Sequence, residues 1–144
     1  MVTVGQILQT KGTQIWSVGP DDTVYEALQS MAEKRIGALL VMEADNLVGI
    51  FSERDYARKI ALAGKSSMDT PVREVMTKEV VCITRQCTMV ECMELMTEKR
   101  FRHLPVKEDN KVIGLVSIGD VVKSIISDQE FTIKQLENYI TGER

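Results

Sequence analysis

Two short stretches of the chain carry side chains whose types and spacing could do chemistry. In Gly49-Ile50-Phe51-Ser52-Glu53-Arg54-Asp55, and again in Gly114-Leu115-Val116-Ser117-Ile118-Gly119-Asp120, a glycine stands three residues before a serine and the serine three before an aspartate. Gly49 and Gly114 lack a Cβ, so a ring or a sugar can approach the strand backbone closely. Ser52 and Ser117 stand where a strand runs into a helix, and the free N–H groups of that helix start suit a phosphate oxygen. Asp55 and Asp120 follow one turn later, where a carboxylate can accept both hydroxyl protons of a ribose. A plainer reading needs no ligand: serine followed three residues on by aspartate is a variant capping box that stabilises the helix by itself.

Other chemistry finds little support. His103 is the only histidine, which removes multi-histidine zinc sites. Cys82, Cys87 and Cys92 lie five apart, a spacing that fits neither a disulfide framework nor a metal knuckle, and they read as small hydrophobes. No serine or cysteine stands with a positioned base, so neither a hydrolase nor any other enzyme is expected. No metal is required. A net charge of −3 gives no broad attraction for nucleic acid or an anionic membrane. The longest apolar run, Ala38 to Met42, falls far short of the roughly 20 residues that span a bilayer. Met1 to Gln9 lacks a basic segment followed by a long apolar stretch, so export is not supported and the cytoplasm is the expected location.

The elements that position these residues come from a repeat. Offset by 65 positions, Gln14 to Ile60 aligns with Glu79 to Ile125 without a gap, and 13 of the 47 pairs are identical; chance gives about three for ordinary composition. Each copy opens with a β-branched stretch, Ile15 to Val18 or Val80 to Ile83. Thr23 or Thr88 follows, with a glutamate three residues on, the mark of a capped helix start. Val24, Ala27, Leu28 and Met31, and in the second copy Met89, Cys92, Met93 and Met96, form helical stripes that face a core. Strands are predicted at Ala38–Met42 and Leu47–Phe51, and at Leu104–Lys107 and Val112–Val116, joined by short acidic loops. A second helix, Glu53–Ala63 or Gly119–Ser127, closes each module. About 60 residues bury too little surface to stand alone securely, so the two copies should pack on each other about a pseudo-twofold axis. Gly64 to Pro71 reads as the connection. The expected divisions are 1–66, a linker at 67–71, a second domain at 72–128 and a C-terminal helix at 129–144. That helix carries Ile133, Leu136, Tyr139 and Ile140 on one face, ready to cover its own module or the edge of a second subunit.

From Val4 to Asp128 this order of elements resembles a tandem pair of CBS domains, a mixed α/β (α+β) fold of strand, helix, strand, strand, helix in each copy. The repeated Gly-x-x-Ser-x-x-Asp motif, the opening Val72-Arg73-Glu74-Val75-Met76-Thr77 and the segment Arg102-His103-Leu104-Pro105-Val106 carry the resemblance. It implies regulatory binding of an adenosine nucleotide, AMP first, with ADP, ATP, NAD or S-adenosylmethionine as alternatives, and a partner protein that reads occupancy. It also implies a homodimer, and no catalysis. Carried over by motif position, one site joins Ile50, Ser52 and Asp55 to Thr77, Val80, Val81, Phe101, Arg102 and His103. The other joins Leu115, Ser117 and Asp120 to Thr13, Ile15, Trp16, Ile36, Gly37 and Ala38. Arg102 and His103 can face phosphate, with Arg54 or Arg58 as a further cation, whereas Gly37 and Ala38 offer only backbone and space. Trp16 either stacks on a base or anchors a core. A ligand-independent dimerisation or protein-interaction module is the alternative.

Overall fold

Thr3 and Gln6 begin the structure, a computed structural model that describes residues 1–142, with a helix that the repeat did not announce. Thr3 and Gln6 cap each other reciprocally at the start of α1 (Val4–Lys11), and Gly12 ends it at φ 97°. There follow β1 (Ser17–Val18), α2 (Val24–Lys34), β2 (Ala38–Glu43), β3 (Asn46–Ser52) and α3 (Glu53–Asp55), which continues as a π-helix over Tyr56–Ala61. A 3₁₀ turn (Val72–Glu74) leads to α4 (Met89–Lys99), β4 (His103–Glu108), β5 (Lys111–Ser117) and α5 (Ile118–Thr141). Among the described residues no helix is long and apolar enough to cross a membrane.

The chain forms two compact units. One holds Gln14–Val81 with Asp109–Val112; the other holds Met1–Thr13, Cys82–Glu108 and the described chain from Ile113 onward. In the first-copy unit, β1 runs parallel to β2 with Ser17 opposite Leu40, and β2 runs antiparallel to β3 from Ala38–Ser52 to Glu43–Asn46. The α2 stripe delivers Val24, Ala27 and Met31 to a core with Leu39, Val41, Phe51, Ile60, Val72 and Val75. In the second-copy unit Met89, Cys92 and Met96 of α4 are buried in the same pattern, and β4 pairs with β5. Both α2 and α4 stop on an arginine in the left-handed region, Arg35 at φ 55° and Arg100 at φ 60°.

The opening strands are shorter than expected. Ile15–Val18 contributes only Ser17–Val18, and Val80–Ile83 contributes a single parallel bridge between Ile83 and Val106. Pro105 accounts for the second loss. In the first copy Leu40 donates its N–H to the Trp16 carbonyl at 3.2 Å; Pro105 stands in Leu40's place and has no N–H, so the ladder cannot extend back to Val81.

Each unit takes the segment that precedes the other copy. Val4 N–H bonds to Cys87 O at 2.8 Å, Gly5 N–H to Arg85 O at 2.9 Å and Met89 N–H to Val2 O at 3.0 Å. The same three bonds recur as Val72 N–H to Asp22 O (2.8 Å), Arg73 N–H to Pro20 O (2.9 Å) and Val24 N–H to Thr70 O (2.9 Å). Thr3 accordingly bridges Thr88, and Pro71 bridges Thr23. The connection Gly64–Pro71 is therefore built into the first-copy unit, with Thr70 buried. Gly49 and Gly114 serve these lead-in segments: a Cβ on Gly49 would lie 2.7 Å from the Met76 sulfur and 2.9 Å from the Thr77 carbonyl oxygen, and one on Gly114 would lie 2.7 Å from Leu8. The close approach that the sequence offered to a ring or sugar is taken by the chain itself.

The helices expected at Gly119–Ser127 and at 129–144 are one continuous α5 (Ile118–Thr141), since Asp128 and the residues on either side of it include no proline or glycine to interrupt it. Glu143 and Arg144, at the end of the expected 129–144 helix, lie outside the described residues.

Candidate functional site

Ser52 has an extended backbone, and its Oγ accepts the Asp55 N–H at 3.2 Å, while Asp55 Oδ2 accepts the Ser52 N–H and Oγ–H, each at 3.0 Å. The other oxygen, Oδ1, receives Thr77 Oγ1 at 3.0 Å and the Lys59 ammonium at 3.1 Å. Thr77 is held there by two backbone bonds with Ile50, and Lys59 by a third bond to the Val75 carbonyl. Asp55 is only 7% exposed, and both of its oxygens are occupied.

Ser117 and Asp120 repeat the capping box, with Asp120 N–H to Ser117 Oγ at 3.2 Å and Ser117 N–H to Asp120 Oδ2 at 2.8 Å. Here Lys11, at the end of α1, donates to Asp120 Oδ2 at 2.5 Å and to the Leu115 carbonyl at 2.8 Å. Leu115 is the counterpart of Ile50, so Lys11 stands where Thr77 stands in the first copy. Motif position had chosen Thr13. The lead-in of the first copy is a two-turn helix rather than a single 3₁₀ turn, and that length brings Lys11 to the carboxylate and leaves Thr13 exposed beyond the cap. Both hydrogen bonds to the Asp120 carboxylate, from the Ser117 N–H and from Lys11, end on Oδ2, which leaves Oδ1 open among the described residues.

Burial lowers the pKa of His103 below its ordinary 6.5, and Lys11 and Arg102 add to that against the opposing charge of Asp120. The imidazole is therefore neutral near pH 7. Burial pushes the Asp120 carboxyl upward, but hydrogen bonds from Lys11 and Ser117 outweigh it and hold the group below the ordinary 3.8. Thr13, Lys11, Arg102, His103, Leu115, Ser117 and Asp120, with half-buried Phe101, thus share the second-copy unit.

The first-copy unit gathers Ile15, Trp16, Ile36, Gly37, Ala38, Ile50, Ser52, Arg54, Asp55, Arg58, Thr77, Val80 and Val81. The strand entrances meet the helix starts of their own copies: Glu53 N–H bonds to Gly37 O at 3.0 Å, and Ile118 N–H to Arg102 O at 2.8 Å. Trp16 packs on the core with the Lys34 ammonium 4.2 Å from its ring centre, which is the anchoring role, reinforced by a cation on its face. Arg54 and Arg58 are exposed, and Lys59 supplies the cation at Asp55. Ile36 and Gly37 line a cavity of about 390 Å³ with Leu28, Met31, Ala32, Arg35 and Glu53, apart from Ser52 and Asp55.

The cysteines are free. Cys92 is buried and its thiol is pushed up to about 12, chiefly by burial, with the Cys87 sulfur 3.8 Å away. A thiol so hard to ionise is a poor nucleophile. Among the described residues, no group of three or more His, Cys, Asp or Glu side chains is placed to hold a metal ion.

Sequence reasoning missed Lys11 and Lys59. Both had a signal: Thr3, Gln6 and the apolar Val4, Ile7 and Leu8 mark a capped helix that ends at Gly12, and Asp55 with Lys59 is an i,i+4 pair.

The exchanged lead-ins, the paired capping boxes and the shared element order define one class of protein, a tandem of CBS domains. The CBS domain pattern matches residues 4–62 and 72–127, and the chain belongs to that family. It is 39% identical to the mitochondrial CBS domain-containing protein CBSX3 of Arabidopsis thaliana, over 97% of this chain and 72% of that one. A signal-transduction protein with CBS domains from Burkholderia ambifaria, described as putative, is 52% identical with a TM-score of 0.85, covering 89% of this chain and 96% of its own. The CBS domain protein NE2398 is also 52% identical, with a TM-score of 0.83 over 86% and 97% of the two chains.

Proposed function

We propose that this CBS pair is a regulatory sensor that binds an adenosine nucleotide and signals occupancy to a partner protein, without catalysis or a required metal, in the cytoplasm and as a homodimer. AMP is the expected ligand, with ADP, ATP, NAD and S-adenosylmethionine as alternatives. The observation that carries the reading is the Asp120 carboxylate, which keeps Oδ1 open while Lys11 and a neutral, half-buried His103 stand in the same unit. A ribose hydroxyl can donate to Oδ1 without disturbing the cap, and Lys11 can turn from Oδ2 to a phosphate oxygen. Occupancy then matters to a partner only if the ligand prefers one of two arrangements of the protein.

Isothermal titration with AMP, ATP, NAD and S-adenosylmethionine tests this. At least one should bind, and Asp120→Ala should lose tenfold or more of that affinity. No heat at millimolar concentration for any of the four overturns the proposal. Overnight incubation followed by chromatography should return the nucleotide unchanged.

Asp55 favours a second reading for the first copy, in which a carboxylate with both oxygens engaged serves as structure alone. If both copies behaved so, the protein would be a ligand-independent interaction module, and Asp120→Ala would change stability only.

A further inference from the structure

Helix α5 is longer than the unit it belongs to can use. Val121 is buried and Ser124 and Ile125 are half-buried, but from Ile126 to Thr141 every residue is exposed except half-buried Asn138. Isolated helices of about this length are marginal in water, and in proteins they persist by packing an apolar face. That face is present. Val122, Ile126, Gln129, Ile133, Leu136 and Ile140 alternate at spacings of four and three, a seam that repeats every seven residues, and the exposure of its apolar members rises from 39% at Val122 to 80% at Ile140.

We infer that this seam pairs antiparallel with the α5 of a second copy of the chain, which rests on the reading of the protein as a homodimer and names the surface responsible. The antiparallel register sets Val122 against Ile140, Ile126 against Leu136 and Gln129 against Ile133, each twice by symmetry, as an isologous twofold contact requires. Charge selects this direction. Lys123, Glu130 and Glu137 hold the same flanking position of the seven-residue repeat, so an antiparallel pair brings each lysine to the partner's glutamate, two attractive contacts against the single Glu130–Glu130 contact on the twofold axis. A parallel pair would face Lys123 with Ile118 and Glu137 with Thr132, and would gain no ion pair.

Sedimentation of the full chain at tens of micromolar tests both statements. The wild type should be a dimer, and Ile133→Asp with Leu136→Asp should halve the particle mass while the urea transition is kept and circular dichroism loses no more helix than the exposed stretch Ile126–Thr141, since neither side chain is buried in the unit. Glu137→Lys should weaken dimerisation about tenfold, and adding Lys123→Glu should restore it. A monomeric wild type overturns the homodimer itself. A dimer that survives the Ile133/Leu136 double change overturns α5 as its surface while leaving the homodimer standing. A charge exchange that fails to rescue overturns the antiparallel direction.

Discussion

Asp55 and Asp120 hold the same place in two copies of one motif and end with different amounts of unused chemistry. Asp55 is buried, with a serine, a threonine and a lysine dividing its two oxygens. Asp120 is half-buried and spends a single oxygen on its cap and on Lys11. The difference originates in the lead-in that each copy receives: a short 3₁₀ turn brings Thr77 to Asp55, a two-turn helix brings Lys11 to Asp120. Duplicated motifs can thus diverge through segments outside the motif, one becoming framework while the other stays open.

Four measurements can break or sharpen this contrast. The largest effect belongs to Asp55→Ala, which removes a cap and strands the half-buried Thr77 hydroxyl and the Lys59 ammonium; it should cost about 3 kcal/mol by urea denaturation, against about 1 kcal/mol for Asp120→Ala. Equal losses would dissolve the distinction. Next, Gly49→Ala should cost about 2 kcal/mol because its methyl meets both Met76 and a backbone carbonyl, whereas Gly114→Ala should cost under about 1 kcal/mol because only the Leu8 side chain must give. A third effect depends on pH. The folded chain holds His103 below 6.5, so as pH falls through 6.5 the unfolded chain takes up a proton that the folded one resists, and stability falls until the folded value is passed. His103→Gln should flatten this part of the stability–pH curve, and an unchanged slope would show that the imidazole is not responsible. The smallest change is Lys11→Met, whose partly exposed ion pair should contribute only about 0.5 kcal/mol, while ligand affinity falls by more than stability does.

Much of this was legible in the sequence, for reasons that differ by element. The helical stripes of α2 and α4 and the strands β2 to β5 follow from periodicity, which is local. The capping boxes at Ser52 and Ser117 are local too, and both form. What escaped depends on distant chain. Gly49 and Gly114 advertise a close approach without saying by what, and Met76, Thr77 and Leu8 fill it from far along the sequence. The shortening of the strand at Val80–Ile83 depends on Pro105, a residue on the neighbouring strand. Thr13 was chosen by counting along a motif, but the extra turn of α1 moves the count and delivers Lys11. The ligand itself lies beyond this reach, because a serine–aspartate cap has the same sequence whether or not a ribose visits it.

The borrowed lead-ins also set an order in time. During synthesis, everything that the first-copy unit needs between Gln14 and Val81 emerges in one passage, its own lead-in following directly behind it. Met1–Thr13 leaves the ribosome ahead of that unit yet has no seat until Cys82 and the strands and helices beyond it arrive. This segment, made ahead of both copies, is therefore among the last to find its place, and a nascent chain halted after Val81 would carry a first-copy unit lacking only Asp109–Val112 and one unattached amphipathic helix.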